Sequence, residues 1–563
     1  MNRLPKKAAK KKEQSEPQTF DEFMEYAVEQ EERGERYKDG DKARRSYELA
    51  VQAYAQAASY KRDAFVIYNK GRLLLLLAEF KNPQYNLTQQ RALLEDSVVT
   101  LREAIALDPE HPDSMFNLAQ AIKALFERVL DNGDTVTQNH LERLSEADNL
   151  LERALVLQLA ELEKSKALAA QAAFENSSCA PGCGHDHDHS GHSHAHEESM
   201  EEVSEETGGD EEGFEVVNQQ EPVTNATIIE TLVEHSSLLT LAASALYSIS
   251  VQQAEVLYAK SDAKLAAARP YWDDGVVNNE PSDIGLARAT LYVTRGESLF
   301  EASPKTEETS AEWKSLFESA AALYDDILVR HPACAEAPAD KGDLLCTWAE
   351  SVMTVTIGCP GVPGFEALIN NVIAEQQQLL QQQQGSSSSS SSSSSSAPQP
   401  TPALTFLTQL RQIYAQASKS YIQAQTLDPA KGSVSHRLGD LEATRTSLYP
   451  PSLDPSCTTA YTNTQQILLK NAATHYKRAL DALGVPVNLL STQRSCADED
   501  AARGALFGMA KVLSHMDGRE EDVRVALICW KRRSGVLGED GEGCGIVFSE
   551  RVLGLEWFEK VCN

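Results

Sequence analysis

Four separate, non-overlapping stretches between residues 43 and 479 carry an alanine followed four places on by a tyrosine or leucine and three places further by a second alanine. The sets are Ala43, Tyr47 and Ala50; Ala147, Leu151 and Ala154; Ala417, Tyr421 and Ala424; and Ala472, Tyr476 and Ala479. Steps of four and three keep all three residues on one face of an α-helix. A small–large–small face lets a neighbouring helix approach to an axial distance of roughly 8–10 Å while the large residue fills what remains. Pro109 and Pro429 then stop the helix five places after Ala104 and Ala424, and Pro332 stops it eight places after Tyr324, which is the same phase because the tyrosine stands three places before the second small position. Further small residues reopen the pattern in phase, as Leu118–Ala119, Gly342 with Leu345, and Leu438–Gly439. A lone helical hairpin with such a face leaves its apolar stripe in water, so these units must stack on one another.

The rest of the composition agrees. At 563 residues the chain exceeds what one hydrophobic core organises, and a content of 42% hydrophobic but only 7% aromatic residues suits many thin helix contacts. The pattern resembles the tetratricopeptide repeat (TPR), a 34-residue helical hairpin with small residues at positions 8, 20 and 27. Larger residues stand at its positions 7, 11 and 24, and Pro is frequent at 32. In that register Ala417, Tyr421, Ala424 and Pro429 fall at 20, 24, 27 and 32, and Gly439 at 8. Ala104 and Pro109 stand at 27 and 32 with Ala119 at 8, and Ala320 and Tyr324 at 20 and 24 with Gly342 at 8. Ala472, Tyr476 and Ala479 repeat the set. The expected fold is all-α, an α-solenoid of tetratricopeptide-like hairpins with disordered insertions. The resemblance implies a protein-binding superhelix and names no ligand.

Three breaks in composition divide the chain. The expected organisation is a basic tail over 1–18, an N-terminal TPR block over 19–174, and a His-rich and acidic insertion over 175–224. A middle helical block over 225–375, a Gln/Ser/Pro linker over 376–402 and a C-terminal block with a helical cap over 403–563 complete it. Residues 225–300 match the repeat poorly.

Charge narrows the partner. Lys and Arg total 52 against 83 Asp and Glu, a net charge of −31. Such a body repels nucleic-acid backbone and anionic lipid and attracts basic proteins. Residues 197–221 alone hold eleven acids and no Lys or Arg, among them Glu201, Glu202, Glu205, Glu206, Asp210, Glu211 and Glu212. They form a candidate partner-binding segment, against the plainer role of a solvated spacer. Sparse cysteines and the absence of a long apolar stretch point to a cytoplasmic protein, and Lys6, Lys7, Lys10, Lys11 and Lys12 have the density of a nuclear-localisation signal.

Just upstream, Cys179, Cys183, His185, His187, His189, His192, His194 and His196 alternate with Gly, Ser and Asp. Thiolate and imidazole at this density bind Zn or Ni in solution. A structural site also needs fixed geometry and supporting hydrogen bonds, which this context does not encode, so adventitious affinity is the expectation and no cofactor is assigned.

Enzyme motifs are absent: no phosphate loop, nucleophile elbow or metalloprotease His pair occurs. The basic fork with which co-chaperone TPR domains grip C-terminal carboxylates also fails. Glu31, Glu35, Asp113 and Asn117 occupy its places, and only Asn69 fits, read here as a polar residue of the helix surface. The functional expectation is a non-catalytic interaction scaffold, an escort or assembly chaperone for a basic client. A metal-handling protein using 179–196 and a non-catalytic subunit of a larger complex are the alternatives.

Overall fold

A computed structural model describes residues 17–38, 40–80, 85–177, 222–272, 280–303, 310–357, 374, 402–449, 458–485, 487, 499–516 and 518–532. The described residues contain helices and no strand. In chain order the α-helices are α1 (Phe20–Tyr37), α2 (Gly40–Tyr60), α3 (Ala64–Ala78), α4 (Leu87–Leu107), α5 (Pro112–Asp131), α6 (Gln138–Ser177), α7 (Asn225–Tyr247) and α8 (Val251–Ala267). They continue as α9 (Ser282–Ala302), α10 (Ser310–Arg330), α11 (Glu336–Ile357), α12 (Pro402–Leu427), α13 (Gly432–Thr446), α14 (Thr458–Ala482), α15 (Glu499–Ser514) and α16 (Glu520–Arg532). Each odd-numbered helix packs on the even-numbered helix after it, giving eight hairpins among the described residues, and each hairpin packs on the next.

Local chemistry sets the ends of these helices. Thr19 and Glu22 close a reciprocal capping box on α1, Asn86 and Gln89 do the same on α4, and Pro112 opens α5. After α4 and α12 the same two residues make the same turn. Asp108 Oδ1 accepts the Glu110 amide at 3.2 Å, Asp428 Oδ1 accepts the Ala430 amide at 3.2 Å, and Pro109 and Pro429 stand exposed between them.

The repeat positions lie where close packing needs them. Ala104, Ala119, Ala320, Ala417, Ala424, Ala472 and Ala479 are buried, as are Tyr324, Tyr421 and Tyr476. Gly342 and Gly439 are two of the tight points. A Cβ at Gly342 would lie 2.6 Å from the Tyr421 ring, and one at Gly439 2.7 Å from the Tyr476 ring. The residue after each glycine accepts the phenol it admits: Tyr421 donates to Asp343 at 2.5 Å and Tyr476 to Asp440 at 2.6 Å.

Tyr421 belongs to α12 and Gly342 to α11, so these two helices form one hairpin whose connection is residues 358–401. The Gln/Ser/Pro segment of 376–402 therefore falls inside a repeat rather than between repeats. Closing a long loop costs about (3/2)RT ln n, so shortening this one to a turn of about five residues should stabilise the hairpin by about 2 kcal/mol. Urea unfolding of full-length and shortened chains measures this, and a destabilised shortened chain would contradict it.

The region that matches the repeat poorly is nonetheless a hairpin, α7–α8, held by hydroxyls in place of Ala and Gly. Ser261 Oγ lies 2.7 Å from Ser236 Oγ and 2.9 Å from Thr240 Oγ1, all three buried, and Thr231 donates to Gln158 of α6 at 2.9 Å.

Candidate partner-binding surface

First helices of successive hairpins touch at α3–α5, α5–α7, α7–α9, α9–α11 and α13–α15. Successive second helices are instead parted by grooves, one between α4 and α6 and one between α6 and α8. Closer spacing puts the first helices on the shorter, inner arc of the array. The two faces therefore present different chemistry, carried on different helices of each hairpin.

The inner face is acidic in a specific way. Among the described residues seven carboxylates hold their protons more tightly than usual, and all seven stand on first helices: Glu127 on α5, Glu230 on α7, Glu297 on α9, Asp340, Asp343 and Glu350 on α11, and Asp440 on α13. Burial is the first cause in each. Like charge adds to it for Glu230, beside Glu234 and Asp113, for Glu297, beside Glu301, and for Asp340, beside Asp343 and Glu336. Asp340 is pushed up to about 6. Among the described residues Glu127, Glu230, Glu297 and Glu350 make no ion pair, while Asp343 is met by Arg437 and Glu234 by Lys123 at 3.0 Å.

The same face carries the residues compared with the chaperone-binding fork. Glu31 accepts from Arg72 and, at 3.2 Å, from Tyr54, which ties α1 to α3 and α2. Asn69 is buried, 6% exposed, with Arg72 Nη2 at 3.5 Å from its Oδ1. It is a packed residue of α3, not the helix-surface position expected from sequence. Asn117 donates to Tyr68 Oη at 3.1 Å. An acidic peptide tail would meet carboxylates here, in keeping with the failure of the fork.

On the outer side, α6, α7 and α8 meet at a charged clasp that sequence reading missed. Asp148 of α6 accepts from the buried His235 Nε2 at 2.6 Å and from Lys260 Nζ at 2.7 and 2.9 Å, and Glu152 accepts from Lys264 at 2.6 Å. Burial raises the Asp148 and Glu152 pKa values, and the hydrogen bonds and charges outweigh it, so both lie below the usual carboxylate range. Asp148, Glu152 and His235 place three ligand atoms within 4.8 Å of one another, as a metal site would. The two ammonium groups already neutralise both carboxylates, so the donor set does not fit a cation. The partners are 87 and 112 residues apart in sequence, and no local pattern marks them.

The remaining expected site residues lie outside the described residues: Cys179, Cys183 and the histidines from His185 to His196, and Glu201, Glu202, Glu205, Glu206, Asp210, Glu211 and Glu212. No described helix is long and apolar enough to cross a membrane.

No family model and no curated protein matches the chain. Solved structures with similar helical arrays include a circular tandem repeat protein, 11% identical, with 92% of this chain and 94% of that one covered at a TM-score of 0.25. Yeast Tom70 is 14% identical over 91% of this chain and 85% of its own, with a TM-score of 0.15. The Cut9–Hcn1 hetero-tetramer of the APC/C gives 11%, 92%, 87% and 0.16. At these TM-scores the likeness carries no argument, and the assignment of an α-solenoid rests on the hairpin pairing and its glycine–tyrosine joints.

Proposed function

We propose that the chain is a non-catalytic protein-binding scaffold that escorts or assembles a basic client, holding it along the acidic inner face. The observation that carries this reading is the segregation of proton-hungry carboxylates to the first helices. A partly buried carboxylate among like charges is destabilised as an anion, and a ligand ammonium or guanidinium relieves the repulsion at once. A basic peptide supplies such groups in series, at the spacing of successive helices. Among the described cysteines, Cys346 is held as an unreactive thiol, its pKa pushed up to about 12, first by burial.

The test is fluorescence anisotropy of a Lys/Arg-rich synthetic peptide with the full chain. Changing Glu127→Gln, Glu230→Gln and Asp340→Asn together should weaken binding by about tenfold to a hundredfold, since each charge is worth roughly 0.5–1 kcal/mol after screening. The pH dependence has a definite sign. Asp340 is protonated in the folded state below about 6, so a cationic ligand must displace that proton, and binding tightens as pH rises from 5 to 7. The same shift makes the free protein less stable over the window from about 4 to 6 as pH rises, because the folded state there binds more protons than the unfolded one. Affinity indifferent to pH and to the triple substitution would remove the inner face from the reading. Replacing the acids of 197–221 by Gln or Asn then shows whether that segment holds the client instead.

A further inference from the structure

The two grooves on the outer side differ, although their volumes are similar, about 520 Å³ between α4 and α6 and about 480 Å³ between α6 and α8. The first is crossed by the protein's own ions. Arg102 of α4 grips Glu146 of α6 across it at 2.9 and 2.6 Å, and Arg153 of α6 also lines it. The second is crossed at one end only, by the clasp of Lys260 and Lys264 on Asp148 and Glu152. Its other end is open and mainly aliphatic, walled by Leu141 and Leu144 of α6 and Val256 and Leu257 of α8, with Leu238 and Leu246 of α7 beneath and the uncharged Gln252 and Gln253 at its mouth. Val256 is 67% exposed, and Ile249 and Val251 continue the apolar surface past the end of α7.

We propose that this groove is a second docking surface, and that it takes an amphipathic helix of a partner protein with an uncharged aliphatic face and a basic outer face. The lining decides the inward chemistry. Its one ionised group, Asp148, is already engaged by His235 and Lys260, so a charge entering the groove would find no partner and lose its water. The walls decide the conformation. Their backbone groups are spent within the helices, so an extended segment would bury unpaired amides, whereas a helix satisfies its own. From Leu141 to Asp148 the wall runs seven residues, about 10 Å, which matches three side chains spaced i, i+4 and i+7. The net charge of −31 decides the outer face, favouring a basic partner and opposing a second copy of this chain.

A stapled 15-residue helix with leucines at i, i+4 and i+7 and lysines on its opposite face is a suitable probe against the full chain. Fluorescence anisotropy should show saturable binding that falls at least tenfold for Val256→Glu and for Leu141→Gln. Val329→Glu, at an exposed valine of α10 far from the groove, should leave it unchanged, as should the inner-face triple substitution. An equally charged probe with glutamines in place of the leucines should lack this component, so that whatever binding its lysines retain at the inner face is the same in wild type and Val256→Glu. Circular dichroism of each variant confirms that folding is intact. Three results overturn the proposal. Both probes respond alike to Val256→Glu; the leucine probe binds only after residues 178–221 are removed, which makes the chain's own insertion the occupant; or sedimentation finds a dimer that Val256→Glu dissociates.

Discussion

Gly439→Leu is expected to lower the stability of the C-terminal hairpins by about 3 kcal/mol, the upper end for overpacking a core. A single Cβ at 439 already falls 2.7 Å from the Tyr476 ring, and the ring has nowhere to retreat. Its other side faces Gly508 of α15, where a Cβ would lie 2.6 Å from the phenol oxygen. Tyr476 is 0% exposed, and its hydroxyl is held by Asp440. One tyrosine thus occupies the space left by two glycines on two hairpins, so the substitution should loosen both joints together. Hydrogen exchange across α13–α16 reads the loss locally, which suits an array whose hairpins need not unfold as one unit. Gly439→Leu combined with Tyr476→Leu should recover part of the loss, since the clash belongs to the pair. Unchanged protection in the single variant would refute the account of the joint.

Asp148→Ala is expected to cost about 3 kcal/mol and to separate the third hairpin from the fourth. The carboxylate is one acceptor for two donors, and removing it strands the fully buried His235 Nε2–H and leaves Lys260 only Glu152, at 3.5 Å. His235 has no second outlet, because its Nδ1 is also buried without a partner among the described residues. Chemical unfolding followed by exchange in α6 and α7 measures the effect. Asp148→Asn, which keeps an acceptor, should cost less. The pH dependence runs opposite to that of Asp340. A carboxylate whose folded pKa is depressed stabilises the fold above its unfolded value near 4, and that contribution is lost as pH falls through the folded pKa. Wild-type stability should therefore fall more steeply in acid than that of Asp148→Ala.

The joints were legible in sequence because each is built from residues three or four apart on one helix. Ala417, Tyr421 and Ala424 declare a face, and Gly342 in phase declares the hole that face fills. Even the pairing of α11 with α12 was present in that register, although the Gln and Ser composition between them suggests a boundary. The α7–α8 hairpin was not legible, because Ser236, Thr240 and Ser261 do the work of small residues while also satisfying each other's hydroxyls. Such residues look polar in a sequence and are interior in the fold. Asn69 misleads in the same manner. The clasp could not be read at all, since Asp148, His235 and Lys260 meet only once three helices are stacked. The inner-face acidity was visible as a net charge, but its restriction to first helices required knowing which helix of each hairpin faces inward.

The hairpin that closes through residues 358–401 bears on synthesis as well as on structure. Every other described hairpin can pair as soon as its second helix clears the ribosome, because its partner immediately precedes it by a shorter connection. α11 must wait for the loop and then for α12, roughly 70 residues, or about 3–14 s at ordinary elongation rates. During that interval the side of α11 bearing Gly342, Leu345 and Val352 has only α10 and α9 to lean on. The nascent chain then carries five finished hairpins and one exposed apolar helix, so a pause within 358–401 should make it a chaperone substrate at that length.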